Sequence, residues 1–263
     1  MTRLDQTLAE YGAPLPGAAV YSYNPAFVEI AAYLGFRVLW FEMEHAQTPL
    51  DRIADMCRIA SGLGLLTMIR IPDSRRESVL RAAECGPDIL DLPMANTPEI
   101  LHELVTHARY APAGARGFFA ASRAVRYGLC GDIAEEQCRI NRELCLMTQI
   151  ETAEAVERAA ELCAVPEING IFLGPGDLSA SYGVTGRTNH PLVIEAMERT
   201  IAVAKASGKR VALFSGAADA GRWAEQGADV IFCASDIAAL RSGAQSVLTQ
   251  FQSSLANARG ASQ

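Results

Sequence analysis

Two carboxylates stand where a chain leaves an apolar run. Asp177 follows a Gly-Pro-Gly turn in IFLGPGDL (171–178), and Glu151 closes CLMTQIE (145–151). Both are hard oxygen donors, a pair that suits Mg²⁺ or Mn²⁺, with Co²⁺ also admissible, and leaves several positions to water or substrate. Zinc fits less well, because His45 is the one histidine near this set and no cysteine is well placed beside it. An open divalent ion acts as a Lewis acid on a bidentate ligand such as a 2-oxo acid. Arg70, ending LLTMIR, would hold developing negative charge, and His45, in FEMEH, would move protons. A Schiff-base barrel needs a lysine at a strand end. The lysines here are Lys205 and Lys209, in or just after the helix before RVALF (210–214), at the wrong end. An enolate would therefore be stabilised by metal.

Plainer uses exist for each residue. Asp177 could cap a short helix over 178–182, and Glu151 could favour the N-terminus of its own helix. Arg70 could pair with a nearby carboxylate, and His45 could be a solvated loop residue. What favours chemistry is convergence, which depends on the elements that carry these residues. Short apolar runs alternate with helical periods. The strands are read at 17–21, 38–41, 66–70, 89–92, 145–150, 170–173, 210–214 and 230–233. Helices follow at 25–34, from Thr48-Pro49, over 75–84, from Thr97-Pro98, and over 152–162, 192–206, 217–226 and 236–255. Eight repeats predict a (β/α)8 TIM barrel as a single domain over 1–263, with a frayed tail from 255. A doubly wound open sheet is the alternative. In a barrel, chemistry sits where strands run into their helices. Those junctions hold Glu42, Glu44, His45, Arg70, Met94, Asn96, Gln149, Glu151, Asp177 and Asp236. The connection over 109–144 is long enough to carry a function of its own, and it includes a basic-aromatic patch at Arg116, Phe118, Phe119, Arg123, Arg126 and Tyr127.

Composition narrows the class. Half of the 263 residues are hydrophobic and the net charge is −7, which argues against a nucleic-acid partner. No apolar run reaches the ~18–20 residues of a membrane span, and MTRLDQTLAE lacks the apolar core of a signal peptide. The seven cysteines include no Cys-x-x-Cys pair, so neither a disulfide framework nor a zinc knuckle is indicated. A cytoplasmic protein is expected.

Together FEMEHAQTP (41–49), MIRIP (68–72), LPMANTPE (92–99), ARGFFAASRA (115–124), QIETAEA (149–155) and FLGPGDLSASYG (172–183) resemble the HpcH/HpaI aldolases over roughly residues 15–240. These are metal-dependent class II pyruvate aldolases. The resemblance implies reversible cleavage of 4-hydroxy-2-oxo acids to pyruvate, or a close 2-oxo acid, and an aldehyde through a metal-stabilised enolate. It implies Glu151 and Asp177 as metal ligands, and Arg70, Gln149 and the backbone of Gly176 and Asp177 as the 2-oxo acid site. His45 would be the acid/base. Glu42 stands where the family's aspartate supports the histidine. Glu84 replaces an aspartate that in relatives reaches a neighbouring subunit. The resemblance also implies a homohexamer with an exchanged C-terminal helix, for which Ile237, Leu240, Val247, Leu248 and Phe251 offer an apolar stripe; covering its own barrel is the alternative. The rival functions are an acyl-CoA lyase of the citrate lyase beta or malyl-CoA lyase kind, with the arginine patch binding the nucleotide, and a non-catalytic metabolite-binding barrel.

Overall fold

The computed structural model describes residues 1–260. Its elements alternate as follows: α1 (Arg3–Tyr11), β1 (Leu15–Val20), α2 (Pro25–Leu34), β2 (Val38–Glu42), α3 (Leu50–Gly62), β3 (Leu66–Arg70), α4 (Arg76–Glu84), β4 (Ile89–Leu92) and α5 (Pro98–Ala108). A 3₁₀ turn at Arg123–Gly128 and α6 (Ile133–Glu143) fill the long connection before β5 (Cys145–Ile150). Then come α7 (Ala153–Glu157), α8 (Ala159–Cys163), β6 (Gly170–Leu173), α9 (Pro175–Ser181), α10 (Pro191–Ala206), β7 (Arg210–Phe214), α11 (Ala220–Glu225), β8 (Val230–Ser235) and α12 (Asp236–Gly260). All eight strands pair in parallel and in chain order, and β8 returns to β1 to close the barrel. The open sheet is thereby excluded.

Strand alternation sorts the side chains. Ala18, Leu39, Phe41, Ile69, Leu90, Leu146, Ile171 and Leu213 face the helices. Ala19, Trp40, Met68, Ile89, Met147, Phe172 and Phe232 fill the interior. The rings of Trp40, Phe172 and Phe232 stack with centroids 4.8–5.7 Å apart. Gly17 is required beside them, since a Cβ there would lie 2.6 Å from the Phe232 ring. Leu4 and Leu8 of α1 join the interior cluster and plug the N-terminal end. Sequence reading assigned no element to this segment, whose two leucines in nine residues make a weak period.

Several boundaries differ from expectation. Pro49, not Thr48, is the cap of α3, and the Thr48 hydroxyl is turned to the Tyr21 carbonyl at 3.5 Å. The helix expected over 152–162 divides at Arg158. α12 is helical to Gly260, and residues 261–263 of the tail expected to fray from 255 lie outside the described residues. Ile237, Leu240, Val247, Leu248 and Phe251 of α12 stay exposed, so the stripe does not cover its own barrel.

Asp236 was grouped with the candidate junction residues, but it closes the barrel. Its fully buried carboxylate accepts from the N–H groups of Tyr21, Ser22 and Ile237 at 2.8–3.0 Å and from the Ser22 hydroxyl at 2.6 Å. Asp236→Ala should strand those donors and destabilise the protein by about 3 kcal/mol or more, read as a lower urea midpoint.

Candidate active site

Register and alternation build the site from the strands' C-terminal ends. Glu42 and Arg70 are register partners on β2 and β3, and Arg70 and Asp91 are partners on β3 and β4. Each lies two residues beyond an interior residue (Trp40, Met68, Ile89), so all three point inward above the aromatic layer. Gln149 and Glu151 follow Met147 at the same period on β5. The barrel thus carries a buried row of carboxylate, guanidinium and carboxyl.

Arg70 is the hub. It is 4% exposed; its Nε donates to Glu42 Oε2 at 2.6 Å and its Nη2 pairs with the same oxygen. Nη1 lies 3.0 Å from Glu44 Oε2, and the guanidinium sits over the Trp40 ring at 4.8 Å. Burial opposes its charge, but Glu42 and Glu44 outweigh that and raise its affinity for the proton. The other oxygen of Glu42 accepts from the backbone N–H groups of Glu44 and His45. Glu42 therefore meets His45 through the main chain and does not support its ring. That place is taken by Glu44, whose Oε2 is 3.8 Å from His45 Nε2. Burial raises the pKa of Glu44, and Arg70 opposes the shift. The imidazole is mostly solvent-facing and borders a groove of about 520 Å³ with Tyr21, Ser235 and Arg241.

Glu151 is 1% exposed. Its Oε1 accepts from Met94 N–H at 2.9 Å, and Met94 holds a φ of 53° to aim that bond, a left-handed conformation that costs an ordinary residue on the order of 1 kcal/mol. Asn96 is a strut between loops: it accepts from the Thr152 hydroxyl at 2.9 Å and donates to Glu154 at 3.3 Å. Glu151 Oε2 and Gln149 Oε1 are buried with no hydrogen-bond partner. Burial pushes the Glu151 carboxyl up to about 7; the Met94 N–H and Arg70 oppose this, while Asp177 and Glu44 add to it. Asp177 is exposed in the first turn of α9, whose cap is Gly174, so the plainer reading of it as an N-cap does not hold. First-turn N–H groups, here including those of Gly176 and Asp177, have no acceptor within a helix.

The donor set fits a divalent cation. An enclosed, unpartnered carboxylate oxygen faces a rim that carries a second, exposed carboxylate. Among the described residues no cluster of three or more His, Cys, Asp or Glu could hold a metal, so water or substrate oxygens would complete the sphere of a hard ion. Gly174 makes room for this arrangement, because a Cβ there would lie 2.8 Å from both Glu151 Oε2 and Gln149 Nε2. A Cβ at Gly176 would meet nothing within 4 Å. Among protein atoms the steric requirement therefore falls on Gly174.

Not every candidate comes to this rim. Glu84, whose expected reach is to a neighbouring subunit, ends α4 at the opposite end of the barrel and accepts from Arg116 at 3.0 Å. The arginine patch lies there too and is engaged: Arg123 donates to the Cys85 and Gly86 carbonyls, and Arg126 pairs with Glu136. Sequence reading missed Asp91, wholly buried with neither carboxyl oxygen partnered. An aspartate at an inward position of the apolar run ILDL was the available signal.

The raised Glu151 pKa makes stability pH-dependent. A carboxyl at about 7 when folded, against 4.5 in the unfolded chain, holds its proton longer in the native state. Without metal, this group's contribution is therefore lost as pH rises from 4.5 towards 7 and amounts to about 3 kcal/mol. Glu151→Gln, which copies the protonated form, should flatten that part of the decline in urea unfolding measured at pH 5 and pH 8.

Comparison with known proteins agrees with this architecture. The model of the family described as HpcH/HpaI aldolase/citrate lyase matches residues 19–243. A 5-keto-4-deoxy-D-glucarate aldolase of Citrobacter koseri is 29% identical over 230 residues, covering 87% of this chain and 88% of the relative. The crystal structure of an HpcH/HpaI aldolase from Desulfitobacterium hafniense superposes with a TM-score of 0.87 at 28% identity, over 94% of this chain and 96% of that one. An HpcH/HpaI aldolase/citrate lyase family protein from Burkholderia cenocepacia gives 0.87 at 27% identity, over 96% and 100%. The chain belongs to the HpcH/HpaI aldolase/citrate lyase family, a metal-dependent family, and is a carbon–carbon lyase.

Proposed function

We propose that the protein is a class II aldolase that reversibly cleaves 4-hydroxy-2-oxo acids to pyruvate, or a close 2-oxo acid, and an aldehyde. The observation that carries this is the buried Arg70 beside the unpartnered Glu151 Oε2, a cation and a metal donor sharing one enclosed rim. The relatives' substrate fits the class: numbered from its keto end, 5-keto-4-deoxy-D-glucarate is itself a 4-hydroxy-2-oxo acid.

Glu151 and Asp177 would hold Mg²⁺ or Mn²⁺, which when bound supplies Lewis acidity to a 2-oxo acid. This chain's residues do the rest. First-turn N–H groups of α9 take the substrate carboxylate. Arg70 faces the keto oxygen, with its orientation fixed by Glu42 before substrate arrives, so that charge developing there meets a positioned cation. His45 removes the 4-hydroxyl proton while Glu44 steadies the imidazolium. The C3–C4 bond breaks, its electrons pass to C3 and the keto oxygen, and the 4-hydroxyl carbon leaves as an aldehyde. Protonation at C3 then gives the 2-oxo acid. An acyl-CoA lyase is disfavoured, since the arginines that would bind the nucleotide are engaged at the other end of the barrel. The exposed stripe of α12 supports a homo-oligomer in which a neighbouring copy covers it.

Activity of the Mg²⁺- or Mn²⁺-loaded protein on 4-hydroxy-2-oxo acids, with deuterium exchange into the pyruvate methyl group, tests the reading. EDTA should abolish both, and turnover of acyl-CoA thioesters in their place would overturn it. Arg70→Lys keeps the charge but loses the fork to Glu42, and it should cut cleavage by about 10²-fold or more. Unchanged turnover would remove Arg70 from the chemistry. His45→Ala should damage cleavage more than exchange; equal losses would place His45 in enolisation as well. Gly174→Ala should weaken Mn²⁺ binding by about tenfold or more in calorimetry, and Gly176→Ala should weaken it far less.

A further inference from the structure

Asp91 has no part in the mechanism above, yet it stands in the middle of the site. It is wholly enclosed on β4 and neither carboxyl oxygen has a hydrogen-bond partner. Arg70 is its direct register partner, but that guanidinium is turned to Glu42 and Glu44. Across the other edge of β4, Asp91 is in register with Met147 of β5. The next inward residue on β5 is Gln149, a diagonal neighbour at about 8 Å between backbones from the strand spacing and rise, within reach of a long side chain. Gln149 presents the complementary problem: its Oε1 is enclosed and unpartnered, while its Nε2 lies towards Gly174.

Two orphaned oxygens satisfy each other only if one carries a proton. Burial drives the Asp91 carboxyl well above the usual carboxylate range; Arg70 opposes this, and Glu151, Glu42 and Glu44 reinforce it. We propose that Asp91 is a positioning residue: as a neutral carboxylic acid it donates a hydrogen bond to Gln149 Oε1. That bond fixes the amide with its NH₂ group towards Gly174 and the ligand. A neutral Asp91 also leaves Glu42 without a competitor for Arg70, so the guanidinium keeps its bidentate orientation. The identity of the ligand rests on the function proposed above; the hydrogen bond does not.

The experiment has two arms. In an atomic-resolution crystal structure of the wild-type protein, an Asp91 oxygen should lie about 2.5–3.0 Å from Gln149 Oε1, a contact two unprotonated oxygens do not make. An Asp91 carboxylate paired with Arg70, or a Gln149 amide turned away, overturns the proposal whatever the substrate. In kinetics with a 4-hydroxy-2-oxo acid, Asp91→Leu should raise KM by about tenfold, because Gln149 Oε1 loses its donor and the amide is no longer held towards the ligand. Asp91→Asn, which still carries a donor, should recover most of that loss. Equal damage from the two substitutions would mean an ionised partner of Arg70 and would overturn the proposal. A wild-type protein inactive on 2-oxo acids would sink the functional reading instead and leave the crystallographic arm to decide Asp91.

Discussion

A guanidinium buried inside a barrel sets the terms for everything around it. Removing Arg70 from water is costly unless its charge and its donors are met, and the structure meets them from three directions. Glu42 takes two nitrogens, Glu44 lies against a third, and the Trp40 ring closes the underside. None of these is free to move independently. Glu42 is also bonded to the loop that carries Glu44 and His45, and Trp40 is locked among Phe172 and Phe232. A slip of one residue between β2 and β3 would turn Arg70 out among the helix-facing aliphatics and break every one of these contacts. The register of the barrel and the placement of the cation are therefore one constraint.

Unsatisfied polar atoms gather around that cation. Most of the interior is aliphatic and aromatic. Above the Trp40 layer, however, Asp91, Gln149 and Glu151 all hold oxygens without hydrogen-bond partners. Such atoms are costly in a folded core. Their place on one rim, with Met94 held at positive φ to serve Glu151, suits a site prepared for a cation and an oxygen-rich ligand. The other end of the barrel also holds unpartnered atoms, on Glu84, Tyr110, Arg116 and Ser122, beside a closed ion-pair network. There Asp229 accepts from Lys205, Arg210 and the Val211 N–H, and Arg210 also reaches Asp5 of α1, a network that holds α1 against the strands.

The sequence made the barrel legible because period and punctuation agreed. Eight apolar runs of four to six residues, each followed by a helical stretch, leave little choice of topology. The rim residues were readable for the same reason, as polar types at strand ends. What was not readable depended on neighbours far along the chain. Nothing local marks Gly174 over Gly176, because the reason is the position of Glu151 and Gln149 on the adjacent strand. Asp236 resembles the other junction residues and differs only in having four donors waiting on it. Asp91 was hidden by its flanks, since an apolar tetrapeptide reads as core whatever its third residue is.

Glu42 illustrates how one methylene redistributes roles. An aspartate on β2 would have a shorter reach from the same backbone position. The glutamate is long enough for one oxygen to meet the N–H groups of Glu44 and His45 while the other meets Arg70. Its carboxylate is consumed by the loop and the cation, and the imidazole is left to Glu44. His45 is then positioned by its backbone and remains free to rotate into the groove it borders. In the proposed function His45 would carry the proton of a hydroxyl that becomes a departing carbonyl; a fixed anchor and a turning ring are then compatible demands, and the longer acid separates them.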